Sequence, residues 1–245
     1  MLYGVFSDVH GNFEALEACL ERLRKEGVSH FIFCGDLIGY GPDPEACVQR
    51  VAALKNTISV MGNHDAVFLM PELESFFNRE AAISLDYSRN QMSEDTVRYV
   101  SKLPHSFQGE NFTVVHGTPL DPIKEYFSSC MQFKVNYHLW KGKICFVGHT
   151  HLPFYIRGNE QECGVFLNRS DDFLVKLDDD MRYIINPGSV GKPRDNNPRA
   201  SFGIWDTEKE TFRFLRQEYD YHPTQRKMQA AKLPSFLVDS LSLGI

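Results

Sequence analysis

The sequence has 245 residues, of which 42% are hydrophobic and 24% are charged, a balance that excludes wholesale disorder. Its formal net charge of -6 leaves no broad basic field to bind an extended nucleic acid. No apolar run is long enough to span a bilayer, and the amino-terminal residues lack the basic and apolar regions of a signal peptide. We therefore expect a single cytoplasmic domain over residues 1–245, without membrane contact.

Alternating apolar runs and amphipathic stretches predict a β-α-β-α-β order in the first part of the chain. The apolar runs predict parallel strands, and apolar residues at helical spacing predict the connecting helices. The five elements are strand 2–7, helix 13–26, strand 31–34, helix 44–54 and strand 57–61.

Residues suited to helix ends flank both predicted helices. Asn12 and Asp43 each have a side chain that can cap the amino terminus of the helix that follows. Pro44 suits the first helical position, and Gly27 is placed to end the first helix.

The middle segment is rich in helix formers and has no convincing strand. We interpret residues 65–105 as a helical insertion, which either covers a site or only packs as helices. Beyond it, the patterns predict strands at 112–115, 144–147, 154–157, 164–167 and 183–185, a hairpin of 201–205 with 211–215, and a helix at 224–232. The acidic run 178–180 is predicted to be a solvated turn.

The cysteines predict no disulfide. None of them forms a C-x-x-C pair, and most lie in apolar stretches, so we expect reduced, buried thiols. The six are Cys19, Cys34, Cys47, Cys130, Cys145 and Cys163.

Polar residues follow five of the predicted strands, at the point where each strand ends. Because ligand sites in open α/β sheets form beyond the carboxyl ends of strands, these side chains are expected to meet in one place. The polar clusters are Asp8-Val9-His10, Asp36, Asn63-His64-Asp65, His116 and His149-Thr150-His151.

The chemistry of these residues predicts a metal centre. Carboxylate, imidazole and amide oxygen suit Mn, Fe, Ni, Zn or Co. The candidate ligands are two carboxylates, four histidines and one asparagine, which is more than one ion needs. They are Asp8, Asp36, His10, His116, His149, His151 and Asn63. In Asp8-x-His10 and His149-x-His151, an extended chain would point both side chains the same way. Each cluster alone is weak, since a single Asp-x-His is more often a turn with an exposed histidine.

The joint placement of the histidines is what favours a site. Five of the nine histidines lie at strand ends beside glycine or another ligand type, whereas the other four are interpreted as structural or surface residues. Those four are His30, His105, His138 and His222.

The order of these clusters resembles the calcineurin-like metallophosphoesterase superfamily. The resemblance runs from Asp8 to His151 and continues through the segment 186–189, Asn-Pro-Gly-Ser, which is similar to that of small prokaryotic members. It implies two mixed β-sheets packed as a sandwich, flanked by helices, with two divalent transition metal ions at the strand ends.

The resemblance also implies a role for each residue. The first metal would be held by Asp8, His10, Asp36 and His151, and the second by Asp36, Asn63, His116 and His149. Asp36 would bridge the two ions, which would lower the pKa of a bridging water and hold the phosphoryl oxygens. His64 would act as an acid or a transition-state stabiliser beside the metals.

The sequence departs from part of the superfamily after Asp36. It reads Leu37-Ile38-Gly39-Tyr40-Gly41, where Ser/Thr protein phosphatases and similar dinucleoside tetraphosphate hydrolases have an arginine followed by glycine. This argues against phosphoprotein substrates. It also removes the aspartate that pairs with the catalytic histidine in those phosphatases, for which Asp65 is a candidate replacement.

We expect a small phosphorylated substrate. Tyr40, Lys192, Arg194 and Arg199 are candidates for contacting it, with packing at the site rim or surface solvation as the alternative for each. The preferred reaction is hydrolysis of phosphodiesters. The alternatives are a phosphomonoesterase or nucleotide pyrophosphohydrolase of the same superfamily and a non-enzymatic scaffold with this fold. A homo-oligomer is compatible with the sequence.

Overall fold

The structure, a computed structural model, describes residues 1–245 and contains twelve β-strands. In chain order they are β1 (Leu2–Phe6), β2 (His30–Phe33), β3 (Thr57–Ser59), β4 (Ser106–Gln108), β5 (Phe112–Val115), β6 (Ile144–Phe146), β7 (Pro153–Gly158), β8 (Cys163–Leu167), β9 (Asp172–Lys176), β10 (Arg182–Pro187), β11 (Ala200–Asp206) and β12 (Thr211–Gln217).

Eight α-helices and one 3₁₀ helix (Pro71–Phe76) accompany the strands. The α-helices are α1 (Phe13–Lys25), α2 (Pro44–Ala52), α3 (Asn63–Ala66), α4 (Arg79–Gln91), α5 (Glu94–Val100), α6 (Cys130–Asn136), α7 (His222–Ala230) and α8 (Ser235–Leu243). None of them is both long and apolar enough to cross a membrane.

The strands form two mixed sheets of six strands each. The first has the order β3-β2-β1-β11-β12-β9, and the second has the order β4-β5-β6-β10-β7-β8. Strands β1, β2 and β3 are parallel, as are β5, β6 and β10, while the remaining pairs are antiparallel. The predicted mixed-sheet fold is therefore confirmed.

A core of apolar side chains from both sheets joins them into a sandwich. Val5 and Ile32 of the first sheet share this core with Phe146 and Tyr183 of the second, and all four are fully buried. Burial of such side chains from water is the main stabilising contribution to a sandwich of this kind. The outer faces are covered by helices, α1 and α2 on the first sheet and α6 on the second.

The caps of α1 and α2 show where local sequence decided the structure and where it did not. The side chain of Asn12 accepts a hydrogen bond from the backbone N–H of Ala15, as predicted for an N-cap. Asp43 precedes α2 but makes no capping hydrogen bond. Its carboxylate instead accepts a hydrogen bond from Lys227 of α7 at 2.8 Å. The capping prediction is therefore wrong for Asp43, because its side chain binds a lysine that lies far away in the sequence.

The segment 65–105 is helical, as predicted, and contains the 3₁₀ helix, α4 and α5. It is tied to the loop after β2 by two buried serines of α4. Ser84 accepts from the backbone N–H of Tyr40 at 2.9 Å, and Ser88 accepts from that of Gly39 at 3.3 Å. The insertion therefore positions the loop that follows Asp36. That residues 1–245 form one domain stays a prediction.

Two cysteines contradict the expectation of free thiols. Cys130 at the start of α6 and Cys163 at the start of β8 form a disulfide, with Cα atoms 5.7 Å apart. The sequence could not show this pairing because 33 residues separate the two cysteines. The other four cysteines are buried and free, as predicted.

Reduction of this disulfide is expected to lower the free energy of unfolding by about 3–4 kcal/mol, because it releases a loop of 33 residues in the unfolded chain. Chemical denaturation with and without a reductant measures the difference. The double variant Cys130→Ser/Cys163→Ser is the control, since its unfolding should not respond to the reductant. Equal unfolding midpoints for the parent protein in both conditions would contradict the prediction.

Candidate metal centre

Five strand ends converge at one end of the sandwich. Strands β1, β2 and β3 of the first sheet and β5 and β6 of the second all direct their carboxyl ends to this place. The seven residues predicted as metal ligands come together there, and six of them are nearly or fully buried. The six are Asp8, His10, Asp36, His116, His149 and His151.

The first group of side chains surrounds the end of β1. The Nε2 atoms of His10 and His151 lie 3.0 Å apart. His151 Nε2 is 3.4 Å from Asp8 Oδ1, and His10 Nε2 is 3.6 Å from Asp36 Oδ2. The donor atoms of these four residues all lie within 4.8 Å of one another, so one metal ion can contact them all.

The second group lies on the other side of Asp36. His116 Nε2 is 3.3 Å from Asp36 Oδ2, 3.0 Å from Asn63 Oδ1 and 3.1 Å from His149 Nδ1. Asp36, His116 and His149 again place donor atoms within 4.8 Å of one another. Asp36 therefore belongs to both groups.

Two carboxylate oxygens at the centre lack partners. Asp8 Oδ2 and Asp36 Oδ2 are buried and accept no hydrogen bond. The remaining oxygen of each carboxylate is occupied, since Asp8 Oδ1 accepts from the backbone N–H of His149 and Asp36 Oδ1 from that of His64. A buried anionic oxygen without a partner is costly, and a bound cation would satisfy both atoms.

Each of the four histidines is oriented by a backbone carbonyl. A carbonyl oxygen only accepts, so the ring nitrogen facing it carries a proton and the opposite nitrogen faces the centre, where its lone pair can bind a metal ion. The pairs are His10 Nδ1 with Ile38 O at 2.9 Å, His116 Nδ1 with Cys34 O at 2.8 Å, His151 Nδ1 with Lys192 O at 2.6 Å and His149 Nε2 with Lys124 O at 3.0 Å.

The backbone of five of these residues is left-handed. Their φ angles lie between 49° and 68°, a region that L-residues other than glycine rarely adopt. The five are Asp8, His10, Asp36, His149 and His151. The expectation that an extended chain aligns Asp8 with His10, and His149 with His151, is therefore wrong. Tight turns after the strands bring these side chains together.

Burial and neighbouring charges shift the pKa values of the centre in opposite directions. Burial raises the pKa of Asp8 to about 7 and lowers that of His149 to about 3. Burial also disfavours a charged His116, but the adjacent Asp36 outweighs this and raises the pKa of His116 to about 9. Such opposed shifts are typical of functional sites, where charge is held in a site poor in water.

The comparison with known proteins identifies the family. A family model for the calcineurin-like phosphoesterase superfamily domain matches residues 1–210. The chain belongs to this superfamily.

Two relatives match this metallophosphoesterase over nearly its whole length. A metallophosphoesterase of known structure from Sphaerobacter thermophilus is 36% identical with a TM-score of 0.88, covering 100% of this chain and 99% of its own. An uncharacterized protein from Methanocaldococcus jannaschii is 34% identical, over 99% of this chain and 98% of its own length. A hypothetical protein from Pyrococcus horikoshii shares the fold, with a TM-score of 0.79 at 19% identity and coverage of 100% and 98%. The chain is thus a metal-dependent phosphoesterase.

The segment 186–191 of the metallophosphoesterase forms hydrogen bonds with the turns that carry its candidate metal ligands. The Asn186 side chain donates to the Gly148 carbonyl and accepts from the backbone N–H of Gly188. Ser189 donates its hydroxyl to the carbonyl of Asp8 at 2.8 Å. These hydrogen bonds fix the turns that carry Asp8 and His149.

Asp65 does not pair with His64, contrary to the candidate role given to it above. Its carboxylate accepts from the backbone N–H groups of Asp36, Leu37 and Gly62 at 2.8–3.0 Å. Adjacent side chains in a helix point in different directions, so His64 and Asp65 face different surroundings. Asp65 is a backbone anchor for the loop that presents Asp36.

His64 lies beside the two groups. Its Nδ1 atom is buried without a hydrogen-bond partner, and its ring packs against Tyr40, Phe77 and His10 at centroid distances of 4.7–4.8 Å. Burial lowers its pKa to about 4. Gly39 is required here, because a Cβ at that position would lie 2.3 Å from His64 Nδ1.

A cavity of about 550 Å³ opens from the centre. Tyr40 and Arg194, two candidates for substrate contact, line it, and Arg194 donates to the Tyr40 hydroxyl at 3.2 Å. That they contact a substrate stays a prediction. Lys192 also lines it and is 5% exposed, which rules out the alternative of surface solvation for this residue. Arg199 lies outside the cavity and pairs with Asp171 at 2.6 Å, which contradicts its assignment to the substrate.

Sequence reasoning missed the loop between β5 and α6. Tyr126 stacks on His149 at a centroid distance of 3.9 Å, and the Lys124 carbonyl orients the same ring. Both residues line the cavity. Their only sequence signal was a position shortly after His116, which does not by itself predict contact with His149.

Proposed function

We propose that this protein hydrolyses small phosphorylated substrates, with a preference for phosphodiesters, at a dinuclear metal centre. The observation that supports two ions is the sharing of Asp36 by two groups of donors, with its Oδ2 atom buried and unpartnered between them. In the proposal, Asp8, His10, Asp36 and His151 hold one ion, and Asp36, Asn63, His116 and His149 hold the other.

The donor set fits divalent transition metals. It offers imidazole nitrogens and carboxylate or amide oxygens without a thiolate, which suits Mn, Fe, Ni, Zn or Co. When bound, such ions would make water acidic enough to serve as a nucleophile near neutral pH and would neutralise charge on the phosphoryl oxygens.

The protein's own side chains would orient the substrate beside the ions. Arg194 and Lys192 place positive charge in the cavity, where they can bind the phosphoryl oxygens. Arg194 enters from the loop after β10, so the cavity has an arginine although none follows Asp36 in the sequence. His64 can donate to the leaving oxygen from the side facing Tyr40.

Metal removal tests this proposal most directly. We expect purified protein to contain up to two transition metal ions per chain and to lose activity to a chelator, since the seven donors are matched in type. Elemental analysis and turnover with added Mn²⁺, Ni²⁺ or Co²⁺ measure this. Protein without near-stoichiometric metal that none of these ions activates would contradict the proposal.

The diester preference is tested by a matched pair of aryl esters. Bis-p-nitrophenyl phosphate is expected to be hydrolysed faster than p-nitrophenyl phosphate by the Mn²⁺-loaded protein. A monoester brings one more negative charge next to Asp8 and Asp36, and the loop after Asp36 lacks the arginine of the protein phosphatases. A clear preference for the monoester or for phosphopeptides in a substrate panel would favour the phosphomonoesterase alternative.

A further inference from the structure

Three exposed aromatic rings surround the mouth of the cavity described above. Phe76 is 71% exposed, Phe236 is 55% exposed and Tyr126 is 49% exposed, and all three line the cavity. They come from separate parts of the chain, namely the 3₁₀ helix of the insertion, the first turn of α8 and the loop after β5. The fold therefore gathers these rings around one opening from three directions.

This arrangement is unusual for side chains with no binding role. An exposed phenylalanine forgoes the free energy of burial, and rings that converge on a concave site usually contact a ligand. The cavity volume of about 550 Å³ lies in the range that holds a small organic ligand. The rings are thus placed to cover a flat, apolar part of a substrate whose phosphate is at the metal centre.

Positively charged groups alternate with the aromatic rings. Lys124 Nζ lies 5.5 Å from the Phe76 centroid, and Lys192 Nζ lies 5.3 Å from that of Tyr40 and 5.9 Å from that of Phe236. Lys192 Nζ donates to the backbone oxygen of Ile245 at 2.6 Å, and Arg194 donates to the Tyr40 hydroxyl at 3.2 Å.

The charge of the lining matches a phosphorylated ligand. Its cationic side chains are Lys124, Lys192 and Arg194, and its side-chain carboxylates are Asp36, which is a proposed metal ligand, and Glu80. Arg194 has no carboxylate partner and is available to an anion, while Lys192 adds positive charge beside it. A ligand that complements this cavity has both a flat aromatic face and negative charge.

We propose that the cavity binds nucleotides, with the base on the rings of Phe76, Tyr126 and Phe236 and the phosphate between the metal centre and Lys192 and Arg194. This rests on the proposed function, since the phosphate is the group on which the centre acts. Stacking on aromatic side chains accepts any base because every base has a π face. A sugar phosphate would leave the rings exposed, and a phospholipid would offer them flexible acyl chains in place of a flat face.

The base contribution can be measured with adenosine 5′-monophosphate and ribose 5-phosphate, which differ only in the base. Their inhibition constants are determined from initial rates of bis-p-nitrophenyl phosphate hydrolysis by the Mn²⁺-loaded protein. A calorimetric titration of chelator-treated protein with the same two compounds adds a readout that needs no turnover. We expect the nucleotide to bind roughly 5- to 100-fold more tightly, which is the stacking free energy of one base expressed as an affinity ratio.

Substitutions at the rim assign this preference to the rings. Phe76→Ala and Phe236→Ala should each weaken nucleotide binding several-fold and leave ribose 5-phosphate unchanged. Tyr126→Phe should keep the preference, because it retains the ring that stacks on His149. Phe173→Ala is the matched control, since Phe173 is a 39% exposed phenylalanine on β9 that does not line the cavity.

Equal affinity for the two compounds in the wild-type protein would overturn the proposal, as would a preference that both rim variants retain in full. If the metal-loaded protein hydrolyses no ester, the proposed function fails, and the titration alone decides whether nucleotides bind. If the ester is hydrolysed and the two affinities are equal, the proposed function stands and the nucleotide inference is wrong.

Discussion

Asp36→Asn is expected to remove bound metal and to abolish turnover more completely than loss of any single histidine. Asp36 is the one residue common to both groups of donors, and its Oδ2 atom has no other partner. Loss of a residue that only supports a metal ligand typically costs 10- to 100-fold in affinity or activity, so loss of a shared ligand should exceed about 100-fold.

The asparagine variant separates this effect from a failure to fold. Asparagine has nearly the same shape as aspartate, and its Oδ1 atom can still accept the hydrogen bond from the backbone N–H of His64. Metal content, turnover and thermal unfolding should be compared for Asp36→Asn, His10→Ala and His116→Ala. The control is Asp43→Asn, which removes a carboxylate paired with Lys227. A folded Asp36→Asn protein with full metal content and normal turnover would show that Asp36 bridges nothing.

His64→Ala is expected to retain its metals and to lose far more activity on an alkyl ester than on a nitrophenyl ester. General acid catalysis typically contributes 10²–10⁴-fold, and an activated leaving group needs the proton least. Burial keeps the free imidazole neutral near pH 7, because it lowers the His64 pKa to about 4. A neutral ring still donates an N–H, and the negative charge of a bound phosphate would raise its pKa.

The pattern across substrates distinguishes the roles open to His64. An equal rate loss on both esters, with metals retained, would indicate electrostatic stabilisation of the phosphoryl group rather than proton donation. Loss of metal would indicate that His64 only supports the loop carrying Asn63. His105→Ala is the matched control, since His105 is exposed and precedes β4.

The part of the site that sequence could predict is the part encoded locally. Each cluster of candidate ligands lies just after an apolar run, so a strand and the polar residues at its end are recognised together from a few neighbouring residues. His116 and His149 were found in this way, and the structure places their nitrogens 3.1 Å apart. Convergence then followed from the parallel order of the strands.

The predictions that failed depend on residues far apart in the chain. Arg199 pairs with Asp171 because β11 and β9 belong to one sheet, and Cys130 meets Cys163 because α6 packs against β8. Local patterns carry no information about such partners. The failure concerning Asp65 was of another kind, because Asp65 directly follows His64 in a helix and its carboxylate accepts from backbone N–H groups of the neighbouring loop.

The left-handed turns that carry five of the donors connect the energetics of folding with those of metal uptake. Each such residue costs roughly 1–3 kcal/mol in the native chain, and the unfolded chain does not bear this cost. Ions that bind only the native centre would offset it by mass action. Protein deprived of metal would then open more often and be cleaved sooner by a protease. When metal is scarce, the amount of intact enzyme and its activity would fall together.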